Sequence, residues 1–130
     1  MKPLIKVTAA IILKNKKVLI AQRSKDDRFK LKWEFPGGKI ETGETSEECL
    51  KRELLEELSI QAGIGQLFLS VFHSYEEFDI ELQAYLVDHF SGKPKNNAHH
   101  ILRWVSIAEL GSFDFLEADI LIIKKLQSIY

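Results

Sequence analysis

The chain has 130 residues, of which 45% are hydrophobic and 28% charged, and its formal net charge is −1. This length allows one domain with its own core, and the composition is typical of a folded, water-soluble protein. A net charge so close to zero gives no overall attraction to nucleic acid polymers or to anionic membranes. Any phosphate that the protein handles must therefore be held by local side chains or by a bound metal.

The first half of the chain has patterns of both strand and helix. Val7–Leu13 and Val18–Gln22 are apolar and β-branched around a lysine-rich turn, which predicts a β-hairpin. Residues 24–33 are charged and irregular, which predicts a loop. From Thr45, leucines recur at every fourth residue up to Leu58, which predicts a helix with one buried face.

The second half continues this mixture. Leu67–Tyr75 reads as a strand, and residues 78–86 alternate between apolar and polar, as in a half-buried strand. Residues 91–100 predict a loop, residues 101–106 a further strand, and residues 117–130 an amphipathic helix. We expect a sheet covered by helices, in one domain over residues 1–130, because no repeat or linker divides the chain.

The single cysteine, Cys49, excludes an internal disulfide and is typical of a reducing compartment. No apolar run reaches the roughly 20 residues that a membrane span needs. We therefore predict a cytoplasmic protein that does not associate with membranes.

The helix after Thr45 carries an unusual number of carboxylates. Residues three and four apart share a helix face, so Glu53, Glu56 and Glu57 project together. One explanation is a solvated surface neutralised by basic neighbours, with Glu48 and Arg52 as an i,i+4 pair. The other is that Mg²⁺ or Mn²⁺ offsets the repulsion, since carboxylates, waters and substrate phosphates supply the oxygens that Mg²⁺ prefers.

The turn Pro36–Gly38 precedes this helix and favours the second explanation. Its glycines let the backbone approach a ligand closely and expose carbonyl or amide groups. It is not a P-loop, because Trp33 occupies the first glycine position and Ile40 follows the lysine where Ser or Thr is required.

The spacing of these residues resembles the signature of the Nudix hydrolases, over residues 38–60. The matching positions are Gly38, Glu44, Arg52, Glu53, Leu54, Glu56, Glu57 and Ile60. Ser59 stands in place of the final glycine of the signature, at a helix end where a left-handed conformation suits glycine.

The likeness extends over nearly the whole chain to the MutT type of this family. It implies an α/β/α sandwich around a mixed sheet. It also implies a Mg²⁺-dependent enzyme, with Mn²⁺ as a substitute, that cleaves (deoxy)nucleoside triphosphates by attack at the β-phosphorus, giving monophosphate and pyrophosphate. The expected partner is a small-molecule nucleotide and not a nucleic acid polymer.

The resemblance also implies roles for residues of the signature. Glu56, Glu57 and the carbonyl of Gly37 are expected to bind metal, and Glu53 to serve as a ligand or as the general base that activates water. Arg52 is expected to support catalysis by pairing with Glu44, which would hold the loop against the helix.

One departure concerns the loop before the last strand, where MutT-like enzymes usually supply a further metal-site carboxylate. No acidic residue lies between Phe90 and Ala108. Either His99 or His100 substitutes for it, or fewer carboxylates suffice and both histidines lie in a solvated loop.

The resemblance predicts a set of substrate-binding residues from several segments: Arg23, Arg28, Glu34, Phe35, Pro36, Gly37, Gly38 and Asp119. Phe35 either packs against the base or belongs to the core. Asp119 is expected to accept hydrogen bonds from amino groups of the base, to cap the last helix, or to do both.

The sequence leaves the substrate open between an oxidised purine nucleotide such as 8-oxo-dGTP and a cytidine nucleotide such as CTP or dCTP. The turn and strand segments favour 8-oxo-dGTP. A nucleotide sugar or dinucleoside polyphosphate hydrolase, or a non-catalytic ligand-sensing module, is a weaker alternative. The sequence is equally compatible with a monomer and a homodimer.

Overall fold

A computed structural model describes the whole chain, residues 1–130, as nine strands, two α-helices and two short 3₁₀ helices. The strands are β1 (Leu4–Lys14), β2 (Lys17–Gln22), β3 (Trp33–Glu34), β4 (Gly37–Lys39), β5 (Gln61–Gly63), β6 (Leu67–Ser74), β7 (Asp79–Val87), β8 (His89–Ser91) and β9 (Ile101–Ser106). The helices are α1 (Ser46–Leu58) and α2 (Ile120–Ile129), with short 3₁₀ helices at Ile107–Ser112 and Glu117–Asp119.

β1 is the organising strand of the main sheet, which is mixed. It pairs in parallel with β7 over nine residue pairs, Leu4 to Ile12, and antiparallel with β2 and β4. β2 in turn pairs with β3 and β9, and β6 pairs with β7, all antiparallel. β5 and β8 form a separate two-stranded sheet.

Two hydrophobic clusters lie on the two faces of the sheet. Ala9 and Ile11 of β1 belong to a cluster that includes the buried residues of α2, whereas Ala10 and Ile12 belong to a cluster that includes the leucines of α1. Because successive strand residues face opposite sides, this division places one helix on each face. The predicted α/β/α sandwich is confirmed, and it explains why β1 is apolar without alternation.

Helix α1 begins where the sequence predicts. Thr45 is its N-cap, and the Thr45 and Glu48 side chains each accept a hydrogen bond from the other's backbone N–H. The predicted Glu48–Arg52 pair is therefore wrong, since capping holds the Glu48 carboxylate at the helix start. Ser59 ends the helix in the left-handed region (φ 57°, ψ 34°), as expected for a position that usually holds glycine.

The longer predicted elements are confirmed, with shifts of a few residues at their ends. The main omissions are β3, β4, β5 and β8, which have two or three residues each and are too short to show a period. The predicted loop 24–33 therefore stops one residue earlier, because Trp33 pairs with Gln22. No helix in the structure is long and apolar enough to cross a membrane.

Candidate active site

A cavity of about 670 Å³ lies between the Pro36–Gly38 turn, helix α1 and the start of α2. This volume is within the range of about 300–1,000 Å³ that is common for small-molecule sites. We call it the main cavity. Most of the predicted site residues line it: Arg23, Arg28, Glu34, Phe35, Gly37, Gly38, Glu53, Glu57 and Asp119. Pro36, Arg52 and Glu56 do not.

The two glycines of the turn are required by close contacts. A Cβ on Gly37, whose φ is 155°, would lie 2.1 Å from the carbonyl oxygen of Thr8. A Cβ on Gly38 would lie 2.5 Å from the carboxyl carbon of Glu53. The first glycine thus lets β4 pair tightly with β1, and the second lets a helix carboxylate rest directly against the turn.

Glu53 and Glu57 form the acidic floor of the main cavity. The side chain of Glu53 is largely buried, and Oε1 of Glu57 accepts a hydrogen bond of 3.4 Å from the Gly37 N–H. Burial, followed by the charges of Glu34 and Glu53, raises the pKa of Glu57 to about 9. The burial and the neighbouring carboxylates therefore favour a proton or a cation at Glu57.

Arg52 links the helix to the loop before it. Its guanidinium donates to both oxygens of Glu44, at 2.7 and 3.1 Å, and to Glu53 Oε1 at 2.8 Å. These hydrogen bonds to Arg52 lower the pKa of Glu44 to about 2. The expected Arg52–Glu44 pairing is thus present, and the same arginine also orients Glu53.

Glu56 lies apart from the other helix carboxylates. Its side chain is 60% exposed and contacts Arg52 at 3.5 Å. No three His, Cys, Asp or Glu side chains are arranged as a metal site by themselves. The donors nevertheless fit a hard divalent cation, because Glu53 and Glu57 supply carboxylate oxygens to the main cavity beside a bare glycine backbone. Mg²⁺ commonly takes only one or two carboxylates and completes its shell with water and phosphate.

In the same cavity, Arg23 and Glu34 form an ion pair. Arg23 Nη1 donates to Glu34 Oε1 at 2.7 Å, and Arg23 also binds both oxygens of Asp27. The second oxygen of Glu34 contacts Nε2 of His99 at 3.0 Å. His99 is thus buried in the site and not solvated, whereas His100 is exposed. Sequence reasoning could not choose between the two histidines, because nothing local distinguishes them.

Arg28 lies at the outer edge of the main cavity. Its guanidinium lies over the rings of Phe29 and Phe78 and pairs with Glu77 at 2.6 Å. The side chain is 51% exposed, so it is the most accessible of the predicted substrate residues with a positive charge.

Asp119 lies buried at the inner end of the main cavity. Oδ2 of its carboxylate has no hydrogen-bond partner, and the side chain makes no capping bond although Asp119 stands at the N-cap of α2. The capping alternative is therefore wrong. Burial, and then the charge of Glu34, raises the pKa of Asp119 well above its usual value.

Phe35 is also buried and packs against Phe115, so it is a core residue that also lines the main cavity.

Comparison with known proteins shows the family of the chain. The family model described as NUDIX domain matches residues 7–125. A CTP pyrophosphohydrolase of Escherichia coli K12 is 36% identical over 127 residues, which cover 97% of this chain and 93% of the relative. An 8-oxo-dGTP diphosphatase of the same strain is 35% identical over 115 residues, which cover 88% and 89%. A solved MutT structure, from a study of the Aliivibrio salmonicida and Vibrio cholerae proteins, superposes with a TM-score of 0.83 at 31% identity, covering 98% of this chain and 99% of that chain.

The chain therefore belongs to the Nudix family. It is a MutT-type hydrolase that acts on phosphoric anhydride bonds.

Proposed function

We propose that the protein is a Mg²⁺-dependent nucleoside triphosphate pyrophosphohydrolase whose substrate is an oxidised purine nucleotide such as 8-oxo-dGTP. The observation that carries this proposal is the main cavity itself. Its lining combines the acidic floor, Glu53 and Glu57, with the buried carboxylate of Asp119, which has a free oxygen. The floor suits a metal-bound polyphosphate, and Asp119 suits a base with N–H donors.

Glu53, Glu56, Glu57 and the carbonyl of Gly37 are the proposed metal ligands. Mg²⁺, or Mn²⁺ in its place, would neutralise phosphate charge and lower the pKa of a bound water. Glu56 lies nearest to solvent among the carboxylates, which suits a ligand on the open side of the site. The causes of the raised pKa of Glu57 support the assignment, because a bound cation would offset both the burial of this carboxylate and its repulsion from Glu34 and Glu53.

Glu53 is the proposed general base, and it can serve as a metal ligand as well. Its carboxylate is held on one side by Arg52 and on the other by the Gly38 backbone, so its position is fixed before substrate arrives. A fixed carboxylate can take a proton from the attacking water as the water approaches the β-phosphorus. Breaking the bond between the α- and β-phosphates releases monophosphate and pyrophosphate.

Arg52 has a supporting role in this scheme. It contacts Glu44, Glu53 and Glu56 together, and it lines no part of the main cavity. Its two bonds to Glu44 tie the helix to the preceding loop, and its bond to Glu53 orients the proposed base.

The nucleoside is proposed to lie between Arg23, Arg28, Glu34 and Asp119, along the Pro36–Gly38 turn. The free oxygen of Asp119 can accept from the N1–H and N2 amino groups of a guanine-type base when the carboxylate is ionised. Phe35 would bound the pocket as part of the core.

The same carboxylate supports a second candidate, CTP or dCTP. A carboxylate accepts hydrogen bonds from the N4 amino group of cytosine, and Asp119 offers one unpartnered oxygen in a buried place. One relative with 36% identity is named a CTP pyrophosphohydrolase. The two candidates differ in the size of the base and the number of donors.

We also propose that residues 1–130 act as a single Nudix domain in the cytoplasm, on small-molecule nucleotides and not on nucleic acid polymers or membranes. A continuous main sheet, the net charge of −1 and the buried, unpaired thiol of Cys49 support this. Gel filtration with light scattering would distinguish a monomer from a homodimer.

A hydrolysis screen tests the proposed function. The purified protein with Mg²⁺ is offered common, oxidised and methylated nucleoside triphosphates, together with CTP, dCTP, nucleotide sugars and dinucleoside polyphosphates. We expect the highest kcat/KM with 8-oxo-dGTP, and monophosphate and pyrophosphate as products. Preference for CTP or dCTP would select the second candidate. Turnover of a sugar diphosphate without any triphosphate would contradict both.

A further inference from the structure

The loop that lacks the usual carboxylate is fastened to the site at both ends. The backbone N–H groups of Lys95 and Asn97 donate to the carbonyls of Leu58 and Glu57, at the end of α1. The backbone N–H of His100 donates to the Gln22 carbonyl on β2 at 2.9 Å. Two of the intervening residues, Ala98 and His99, line the main cavity between these attachments.

Ser59, the residue that replaces the signature glycine, takes part in this attachment. The amide nitrogen of Asn97 donates to Ser59 Oγ at 2.8 Å and to the Glu56 carbonyl at 3.1 Å. Glycine at this position would have no side-chain acceptor. Ser59, which replaces the signature glycine, and Asn97, in the loop without an acidic residue, thus contact each other directly.

This attachment places the side chain of His99 in the site. His99 is 5% exposed, and its Nε2 lies 3.0 Å from Oε2 of Glu34, although 65 residues separate the two in sequence. An ionised carboxylate can only accept, so Nε2 carries the proton and donates. Nδ1 is buried without a partner, which leaves Glu34 as the sole polar contact of the ring.

The burial of His99 is unfavourable for stability, but it fixes the position of the Glu34 carboxylate. A buried ring nitrogen without a partner is unfavourable for folding, so burial of His99 is not explained by stability alone. His99 makes a hydrogen bond to Oε2 of Glu34, and Arg23 donates a hydrogen bond to Oε1. With both oxygens bound, the carboxylate has one orientation.

We propose that His99 is a positioning residue, which holds the Glu34 carboxylate in the orientation that contacts the nucleotide. The inference rests on the proposed function, since it takes Glu34 as a substrate-binding residue. His99 acts through Glu34, and its role is in nucleotide binding and not in the chemical step. With its Nε2 engaged by Glu34 and its Nδ1 buried, it does not take the place of the missing metal carboxylate.

The test separates binding from chemistry in five variants. His99→Ala removes the donor, and His99→Gln keeps an N–H donor on a side chain of similar reach. His100→Ala is the matched control, from the adjacent exposed position. Glu34→Gln and the double variant Glu34→Gln/His99→Ala complete a double-mutant cycle. For each, we would measure kcat and KM for 8-oxo-dGTP and CTP, and the affinity for their α,β-methylene analogues by calorimetry with Mg²⁺.

We expect His99→Ala to raise KM and the Kd of the analogue about tenfold, with kcat changed less than about twofold. His99→Gln should recover part of the loss, and His100→Ala should match the wild type. The double variant should bind no worse than Glu34→Gln alone, because His99 has no effect without the carboxylate that it positions.

Three results would overturn the inference. Unchanged KM and Kd in His99→Ala would remove any role in binding, and a fall in kcat alone would place His99 in the chemical step. Additive losses in the double variant would show that it does not act through Glu34. If His99→Ala does not fold, His99→Gln and the control decide the question. A wild type that neither hydrolyses nor binds any triphosphate would instead contradict the proposed function.

Discussion

The carboxylate of Glu53 rests directly against the backbone of Gly38. A side chain on Gly38 would meet all three atoms of that carboxyl group at 2.5–2.7 Å. The glycine of the turn and the carboxylate of the helix are therefore one structural unit. The fixed spacing between them in the sequence reflects this contact.

Gly38→Ala should impair catalysis much more than stability. The new methyl group would displace the end of a flexible side chain, so the protein should stay folded while Glu53 leaves its place. We expect kcat to fall by about 10²-fold. Gly111→Ala is the matched control, because a Cβ there meets nothing within 4 Å. Wild-type turnover in Gly38→Ala would contradict the importance of this contact.

Glu53→Gln should nearly abolish pyrophosphate release and leave the melting temperature close to that of the wild type. The amide keeps the size of the side chain but cannot take a proton, and general bases contribute about 10²–10⁴-fold. Single-turnover rates with saturating Mg²⁺ would measure the loss. Glu47→Gln, at an exposed position of the same helix, should have no effect. Retained activity in Glu53→Gln would show that another residue is the general base.

Asp119→Ala should raise KM and weaken the choice between bases while the metal-dependent chemistry survives. Removing a carboxylate that accepts from a base edge costs about 1–3 kcal/mol of discrimination. The measurement is the ratio of kcat/KM values for 8-oxo-dGTP, dGTP and CTP. Asp88→Ala changes an exposed carboxylate outside the main cavity and serves as the control. An unaltered ratio would mean that Asp119 does not read the base.

Asp119→Asn should make stability less dependent on pH. The raised pKa means that the folded protein keeps a proton on Asp119 that the unfolded chain has released. The folded state then binds more protons, so stability falls as pH rises from the ordinary carboxyl pKa through the raised one. Asparagine does not titrate. We expect the free energy of unfolding of the variant, relative to the wild type, to increase from about pH 5 to about pH 8 in urea titrations. A difference that stays constant with pH would contradict the raised pKa.

Substitutions at Ser59 should separate backbone strain from the hydrogen bond to Asn97. Ser59→Ala keeps a side chain in the left-handed region and loses the acceptor, so it should destabilise the protein by about 1–2 kcal/mol. Ser59→Gly loses the same acceptor but relieves the strain, and it should stay within about 1 kcal/mol of the wild type. Urea unfolding measures both. Equal losses of stability in the two variants would mean that the left-handed conformation of Ser59 has no cost in free energy.

The sequence by itself determined the features that depend on near neighbours. The leucines at every fourth residue predicted the buried face of α1, and the change of period at Thr45 predicted its start, because both depend on helical geometry alone. The same geometry predicted that Glu53, Glu56 and Glu57 project together, but only Glu53 and Glu57 line the main cavity, whereas Glu56 is exposed. The family signature is local in this sense, since nearly all of it lies on one loop and one helix.

Only the tertiary structure decided the rest of the site. The three residues of β4, like the three of β8, carry no period, and their pairing depends on strands far away in the chain. That His99 is buried and His100 exposed, and that Asp119 faces a cavity without capping its helix, follows from how the loop and the two helices pack. Contacts between residues distant in sequence have no local signal, so packing alone chooses between side chains that the sequence leaves equivalent.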